Sequence, residues 1–241
     1  MFAREGEARM ISIVLAEDHQ VVREGLRLLL DGIADFSVLG EESDGLRVAD
    51  LVDRLRPDVL VVDLMMPGLG GLEVTRRVTK RTPETRVVIL SMHADPAYVW
   101  EGLNNGASAY VLKDASAACL TRAVREAAAG RRYISPPLSE ADLQDYERHR
   151  RDAPRDPYDG LTDREREVLH LTAEGLTGPQ IAASLGISPR TAETHRSNIL
   201  KKLQLRGKTD LVHFALGRGL VRPNARRAGR SQAGGPSAKM P

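Results

Sequence analysis

The sequence predicts an α/β domain built on a doubly wound parallel sheet, followed by a small all-α domain. Five short, strand-like apolar runs alternate with stretches of helical spacing over residues 11–130. A charged, proline-containing stretch interrupts the pattern over 131–158. From residue 161 onward every apolar repeat has a helical period.

The runs are ISIVLA (11–16), FSVLGE (36–41), VLVVD (59–63), VVILS (87–91) and AYVLK (109–113). Several are apolar nearly throughout, as strands covered on both faces must be. Between them, Val22, Leu26, Leu29 and Leu30 recur at helical spacing. Val48, Leu51, Val52 and Leu55 do the same, as do Leu120, Val124 and Ala127. Repeated strand–helix alternation gives a doubly wound sheet but not the order of its strands. Residues 131–158 read as a linker with one short helix.

In the back part, Thr162 and Glu165 form a capping box ahead of a stripe of Val168, Leu169, Leu171 and Thr172. Thr177 caps a second helix carrying Ile181, Ala182 and Leu185, and Gly186 permits a sharp turn. Ser188 caps a third, with Pro189 at its first position, where a missing N–H leaves nothing unsatisfied. That helix carries Ala192, His195, Ile199 and Leu203; a fourth, over 208–217, carries Leu211, Val212, Ala215 and Leu216.

Composition excludes several classes. Apolar residues at 41% and charged residues at 28% indicate a soluble globular chain. No apolar run approaches the roughly 20 residues of a membrane span, so no membrane partner is expected. Residues 1–9 are charged and lack an apolar signal segment; they read as a disordered extension, or the start lies at Met10. The one cysteine, Cys119, builds neither a disulfide framework nor a cysteine-rich zinc site, which fits a cytoplasmic location. Of the net charge of +2, residues 159–223 carry +3 and a basic, disordered tail over 224–241 carries +4, leaving −5 on the first 158. The back part is therefore the one suited to a polyanion.

Chemistry gathers at strand ends. Glu17 and Asp18 follow the first run, Asp63 ends the third, Ser91 the fourth and Lys113 the fifth. Parallel strands bring these side chains to one carboxyl edge, where open α/β sheets bind ligands. Clustered carboxylates repel unless a cation joins them, and an all-oxygen set suits Mg²⁺. The backbone carbonyl of Met65 is a further candidate ligand in the tight loop made by Pro67 and Gly68. A carboxylate beside Mg²⁺ and a lysine can attack phosphorus and become an aspartyl phosphate. Asp63 is the best candidate nucleophile, although taken singly a strand-end aspartate can equally be a turn cap. Ser91 is placed to hydrogen-bond a phosphoryl oxygen.

The pieces LAEDH, VVDLMMPGLGG, VILSMHAD and GASAYVLKD resemble the receiver domain of two-component response regulators, over residues 11–130. The resemblance implies a flavodoxin-like, five-stranded sheet, a receiver domain over 10–130, and phosphorylation of Asp63 by a sensor histidine kinase. It further implies that Glu17, Asp18, Asp63 and the Met65 carbonyl hold Mg²⁺. Ser91 becomes the switch hydroxyl, Tyr110 an aromatic that turns inward as Ser91 moves, and Lys113 the phosphate-binding lysine. Departures are small. Asp114 follows Lys113 where many receivers have proline, which makes a cis peptide there less secure. Met92 follows Ser91 where a smaller residue is common, and is expected to crowd the phosphoryl group and slow its loss.

The stretch LTDREREVLHLTAEGLTGPQIAASLGISPRTAETHRSNILKKL resembles the LuxR-type helix-turn-helix, so the whole chain resembles the NarL/FixJ class. The resemblance implies a DNA-binding domain over 159–223 whose recognition helix, about 188–203, enters the major groove of double-stranded DNA. Glu193, Thr194 and Ser197 are its groove-facing candidates. Arg190, Thr191, His195, Arg196, Lys201 and Lys202 are candidates for phosphate contacts. Glu193 has two readings, an acceptor for a cytosine amino group or a solvated carboxylate. Leu211, Val212 and Ala215 also have two, a dimer seam or core. Gly178 and Pro179 replace the family's usual lysine-bearing start of the scaffold helix; affinity borrowed from the tail would make its removal flatten the salt dependence. The implied partners are DNA, a cognate kinase, RNA polymerase and a second copy of the active chain. In the resting state the receiver is expected to cover the recognition or dimer helix. A phosphatase using Asp63 is disfavoured because Met65 stands where a second acid is wanted. A phosphate-independent regulator is disfavoured by the complete acidic set.

Overall fold

The computed structural model describes residues 10–151 and 156–221; the expected extension over 1–9 and tail over 224–241 lie outside the described residues. Each apolar run becomes a strand: β1 (Ile11–Ala16), β2 (Phe36–Glu42), β3 (Val59–Asp63), β4 (Arg86–Ser91) and β5 (Ala109–Leu112). The helices between them are α1 (Gln20–Asp31), α2 (Gly45–Leu55), α3 (Gly71–Arg81) and α4 (Pro96–Asn104), with α5 (Ala117–Ala128) after β5. All strand pairs are parallel, in the order β2-β1-β3-β4-β5, with a further strand outside β5.

The two-residue period of a strand divides the core cleanly. Val14, Leu60, Val62 and Ile89 face α2, α3 and α4, where Val48, Val52, Val74, Val78 and Val99 pack on them. Ile13, Leu15, Val61 and Val88 face α1 and α5, meeting Leu30, Leu120, Val124 and Ala127. All five residues of β3 are buried. Each such side chain stabilises the fold by roughly 1.5–3 kcal/mol.

The sheet has six strands rather than five. β6 (Tyr133–Ile134) pairs with β5, and α6 (Glu140–Arg151) packs against α4. Ser135 is fully buried and its Oγ accepts from the Leu112 N–H at 2.9 Å. The segment expected as a linker thus completes the receiver edge as far as residue 151. Two residues are too few to show a strand period, and α6 buries one apolar side chain, Leu143, on an otherwise polar helix. The Lys113–Asp114 peptide is trans; among the described residues the cis bond is Pro136–Pro137.

A single 3₁₀ turn (Pro157–Gly160) leads into α7 (Asp163–Ala173), α8 (Gly178–Leu185), α9 (Pro189–Lys202) and α10 (Lys208–Gly217). The capping box forms: Glu165 Oε2 accepts from the Thr162 N–H at 2.8 Å. Ser188 Oγ accepts from the Thr191 N–H at 3.0 Å, and Gly186 turns the chain at φ +62°. At the start of α8, Gln180 Oε1 accepts from the Thr177 N–H at 2.9 Å. The helix therefore starts normally despite Gly178 and Pro179. Val168, Leu169, Ile181, Ile199 and Leu211 form the domain's own core.

Candidate functional site

Parallel pairing puts the carboxyl ends of β1, β3, β4 and β5 on one edge, and the predicted residues meet there. Glu17 is fully buried, and Asp63 and Ser91 nearly so. Lys113 Nζ lies 2.6 Å from Glu17 Oε2 and 3.1 Å from Asp63 Oδ1. Buried carboxylates need such a counter-charge, because an unpaired one is strongly disfavoured away from water. Asp18 is half-buried beside them.

His19 joins this cluster and was missed in the sequence. Its Nδ1 is 3.1 Å from Glu17 Oε1 and 3.0 Å from Asp18 Oδ1. Its place directly after the acid pair was the only signal. Glu17, Asp18, His19 and Asp63 each bring a ligand atom within 4.8 Å of the others. The three carboxylates form a hard oxygen set that fits Mg²⁺.

The loop after Asp63 is held closely. The Gly71 N–H donates to the Leu64 carbonyl at 2.8 Å, and the Gly45 N–H to that of Pro67 at 3.0 Å. A Cβ on Gly71 would stand 2.3 Å from the Asp63 carbonyl oxygen, so glycine is needed where α3 begins. Met65 is half-buried in this loop against the core.

Ser91 Oγ accepts from the His93 N–H at 2.9 Å. Tyr110 is fully buried and its hydroxyl donates to the His93 carbonyl at 2.9 Å. Burial pushes that hydroxyl's pKa up. The ring was expected to turn inward when Ser91 moved, yet it already lies inward. Gly102 packs nearby: a Cβ there would lie at an ordinary contact distance of 3.6 Å from the Tyr110 ring but 2.8 Å from the Ile89 side chain. Met92, expected to crowd a phosphoryl group on Asp63, is 72% exposed. It stands on the rim of a cavity of about 520 Å³ with Val22, Leu26, Val111 and Lys113.

In the helical domain α9 presents most of its predicted face to solvent. Arg190, Thr191, Glu193, Thr194, Ser197, Lys201 and Lys202 are exposed, and His195 and Arg196 half-buried. Ala192 and Ile199 point into the core. Glu193 pairs with Arg196 at 2.5 Å. Lys202 is engaged within the domain, 2.7 Å from Glu165 Oε2. The dimer-seam reading is corrected for two residues: Leu211 and Ala215 are completely buried beneath α7, and Val212 is half-buried. The helical stripe reflects packing against a neighbour within the chain. α7 meets the receiver, with Arg76 of α3 paired to Asp163 and Arg77 to Glu167, and at the end of α10, the expected dimer helix, Arg218 lies 3.8 Å from Glu101 of α4, while most of the candidate face of α9 is exposed.

A doubly wound sheet with an acid–lysine edge, joined to a helix-turn-helix, defines a two-domain DNA-binding regulator. Residues 13–125 match the response regulator receiver domain, and residues 159–215 the luxR family of bacterial regulatory proteins. The chain is 35% identical over 225 residues to the transcriptional regulatory protein DegU of Brevibacillus brevis, covering 88% of this chain and 95% of that one. It is 36% identical over 215 residues to the oxygen regulatory protein NreC of Staphylococcus carnosus, covering 88% and 99%. A LuxR-family response regulator from Aurantimonas sp. SI85-9A1 superposes with a TM-score of 0.54 at 33% identity, over 57% of this chain and 98% of that one. The response regulator RcsB in a DNA complex gives 0.53 at 25% identity, over 86% and 98%. The chain belongs to the two-component response regulators of the NarL/FixJ class, with a receiver and a LuxR-type DNA-binding domain. These are transcription regulators, not enzymes. Among the described residues no helix is long and apolar enough to cross a membrane.

Proposed function

We propose that this regulator is switched by transfer of a phosphoryl group from a sensor kinase's phosphohistidine to Asp63. The supporting observation is Lys113 Nζ held between Glu17 and Asp63 at the carboxyl edge of the sheet. In the transfer the P–N bond of the donor breaks, a carboxylate oxygen of Asp63 forms the new P–O bond, and the imidazole keeps the electron pair. Glu17, Asp18, Asp63 and the Met65 carbonyl would hold Mg²⁺, which when bound neutralises charge on the phosphoryl oxygens. Lys113 then pairs with the new anion, and Ser91 Oγ turns from the His93 N–H to donate to it. A phosphoryl group adds nearly two negative charges, enough to reorder these contacts.

On DNA, Thr194 and Ser197 read base edges with Glu193, while Arg190, Thr191, His195, Arg196 and Lys201 meet phosphates. The active form is a homodimer on inverted half-sites, acting in the cytoplasm with RNA polymerase. Incubation with acetyl phosphate and Mg²⁺, followed by intact-mass measurement, tests the first step. Wild type gains one phosphoryl group and Asp63→Ala none; an equal gain in both rejects Asp63.

A further inference from the structure

The imidazole of His19 turns into the acidic cluster instead of serving its own helix. His19 stands at the N-cap of α1, where a polar side chain commonly accepts from the first helical N–H groups, yet its ring makes no capping bond. Its backbone N–H donates to Glu17 Oε1 at 3.1 Å, and the ring folds back toward the same oxygen. Nδ1 comes to rest 3.1 Å from Glu17 Oε1 and 3.0 Å from Asp18 Oδ1. With Asp63, these side chains offer oxygens and one nitrogen within 4.8 Å of one another.

Glu17 divides its two oxygens. Oε2 is held by Lys113 Nζ at 2.6 Å, while Oε1 faces the imidazole. Glu17 and Asp63 are buried and His19 is exposed, so an ion arriving from solvent meets the ring first. The spacing suits a shared ion. Ligands at right angles on a shell of about 2.1 Å radius lie about 3.0 Å apart, close to both Nδ1 distances. A hydrogen bond from the ring gives similar distances, but it would serve every dication alike. A ligating nitrogen would not. Mg²⁺ favours oxygen and keeps its waters, whereas Zn²⁺ and its neighbours in the first transition row take imidazole together with carboxylate.

We propose that His19 Nδ1 is a ligand of this site and gives it a preference for a transition-metal dication of the Zn²⁺ class over Mg²⁺. The inference rests on Glu17, Asp18 and Asp63 as metal ligands in the proposed function, and not on phosphorylation of Asp63.

The test uses the full chain without phosphodonor. Wild type, His19→Asn and Asp18→Asn are titrated calorimetrically with Zn²⁺ and with Mg²⁺, and urea unfolding in chelator reports whether each is folded. Asparagine is a favourable N-cap residue and can still hydrogen-bond the acids, so His19→Asn removes chiefly the ligating nitrogen. His19→Asn is expected to lose at least about tenfold in Zn²⁺ affinity while its Mg²⁺ affinity moves by less than about threefold. Unchanged Zn²⁺ binding, or equal losses for the two ions, overturns the ligand role of His19. Asp18→Asn is expected to weaken both ions; unchanged binding of both rejects the metal-site reading itself, and the inference with it. A further measurement needs no variant. In wild type labelled with ¹⁵N-histidine, the His19 Nδ1 resonance should move on one equivalent of Zn²⁺ into the range of metal-bound imidazole nitrogen. A stationary resonance overturns the proposal.

Discussion

Lys113 Nζ lies 3.1 Å from Asp63 Oδ1 and, on its other side, 2.6 Å from Glu17 Oε2. One ammonium group thus holds two buried carboxylates together. Lys113→Ala leaves them facing each other with no counter-charge. It should lower stability in chelator by about 3 kcal/mol, within the range for breaking a buried pair. Added Mg²⁺ should recover part of that loss by binding the exposed oxygen set. Urea denaturation with and without Mg²⁺ measures both, and an unchanged midpoint in chelator contradicts the pairing.

His170 is buried between Arg166, Arg77, Gly70 and Tyr158, with Glu73 close by. Burial first, then the two guanidiniums, lower its pKa from 6.5 to about 4. The folded chain therefore keeps this ring neutral where the unfolded chain binds a proton. Its contribution is complete above pH 6.5 and is lost progressively as pH falls toward 4, by about 3 kcal/mol in total. His170→Leu should remove that part of the slope between pH 7.5 and 5. Parallel urea titrations of the two proteins check it, and identical slopes would remove His170 from the explanation.

Leu211 is fully buried between α10 and α7, whereas Val212, next in sequence, is half-buried. Leu211→Ala should destabilise the DNA-binding domain by about 2–5 kcal/mol through the cavity it leaves. Val212→Ala should lower stability less, and is the better probe of any dimer seam. Thermal unfolding ranks the two, and the reverse order would be inconsistent with the packing.

Lys201 and Lys202 are adjacent and both exposed, but Lys202 is held by Glu165. Lys201→Ala should reduce the salt slope of DNA binding by about one. Lys202→Ala should change the slope less and lower domain stability, since it frees the capping-box carboxylate. Titrations over a range of salt concentrations distinguish the two, and equal slopes in the variants would mean that both lysines meet phosphate.

Much of this was legible because the signals are local and periodic. Both-face burial marked β1 and β3 within a residue, and strand ends delivered Glu17, Asp63, Ser91 and Lys113 to one edge. The capping box at Thr162 and the cap at Ser188 were readable because each needs only a few neighbouring residues. What stayed hidden depends on contacts distant in sequence. β6 exists because β5 offers an open edge, not because two residues carry a pattern. Leu211 and Val212 share one helical stripe, and only α7 distinguishes them. Tyr110 lies inward with its hydroxyl held by the His93 carbonyl, 17 residues away in the chain. The pairing of Arg77 with Glu167 spans the two domains, so neither residue announces it.

The central claim, that phosphate on Asp63 governs DNA binding, is tested most directly by one comparison. Wild type and Asp63→Ala are incubated with acetyl phosphate and Mg²⁺, then measured for oligomeric state and for binding to a random-sequence duplex pool. Wild type should shift toward dimer and bind more tightly, while Asp63→Ala stays at its untreated level. Equal oligomeric state and equal affinity in the two treated proteins would contradict it.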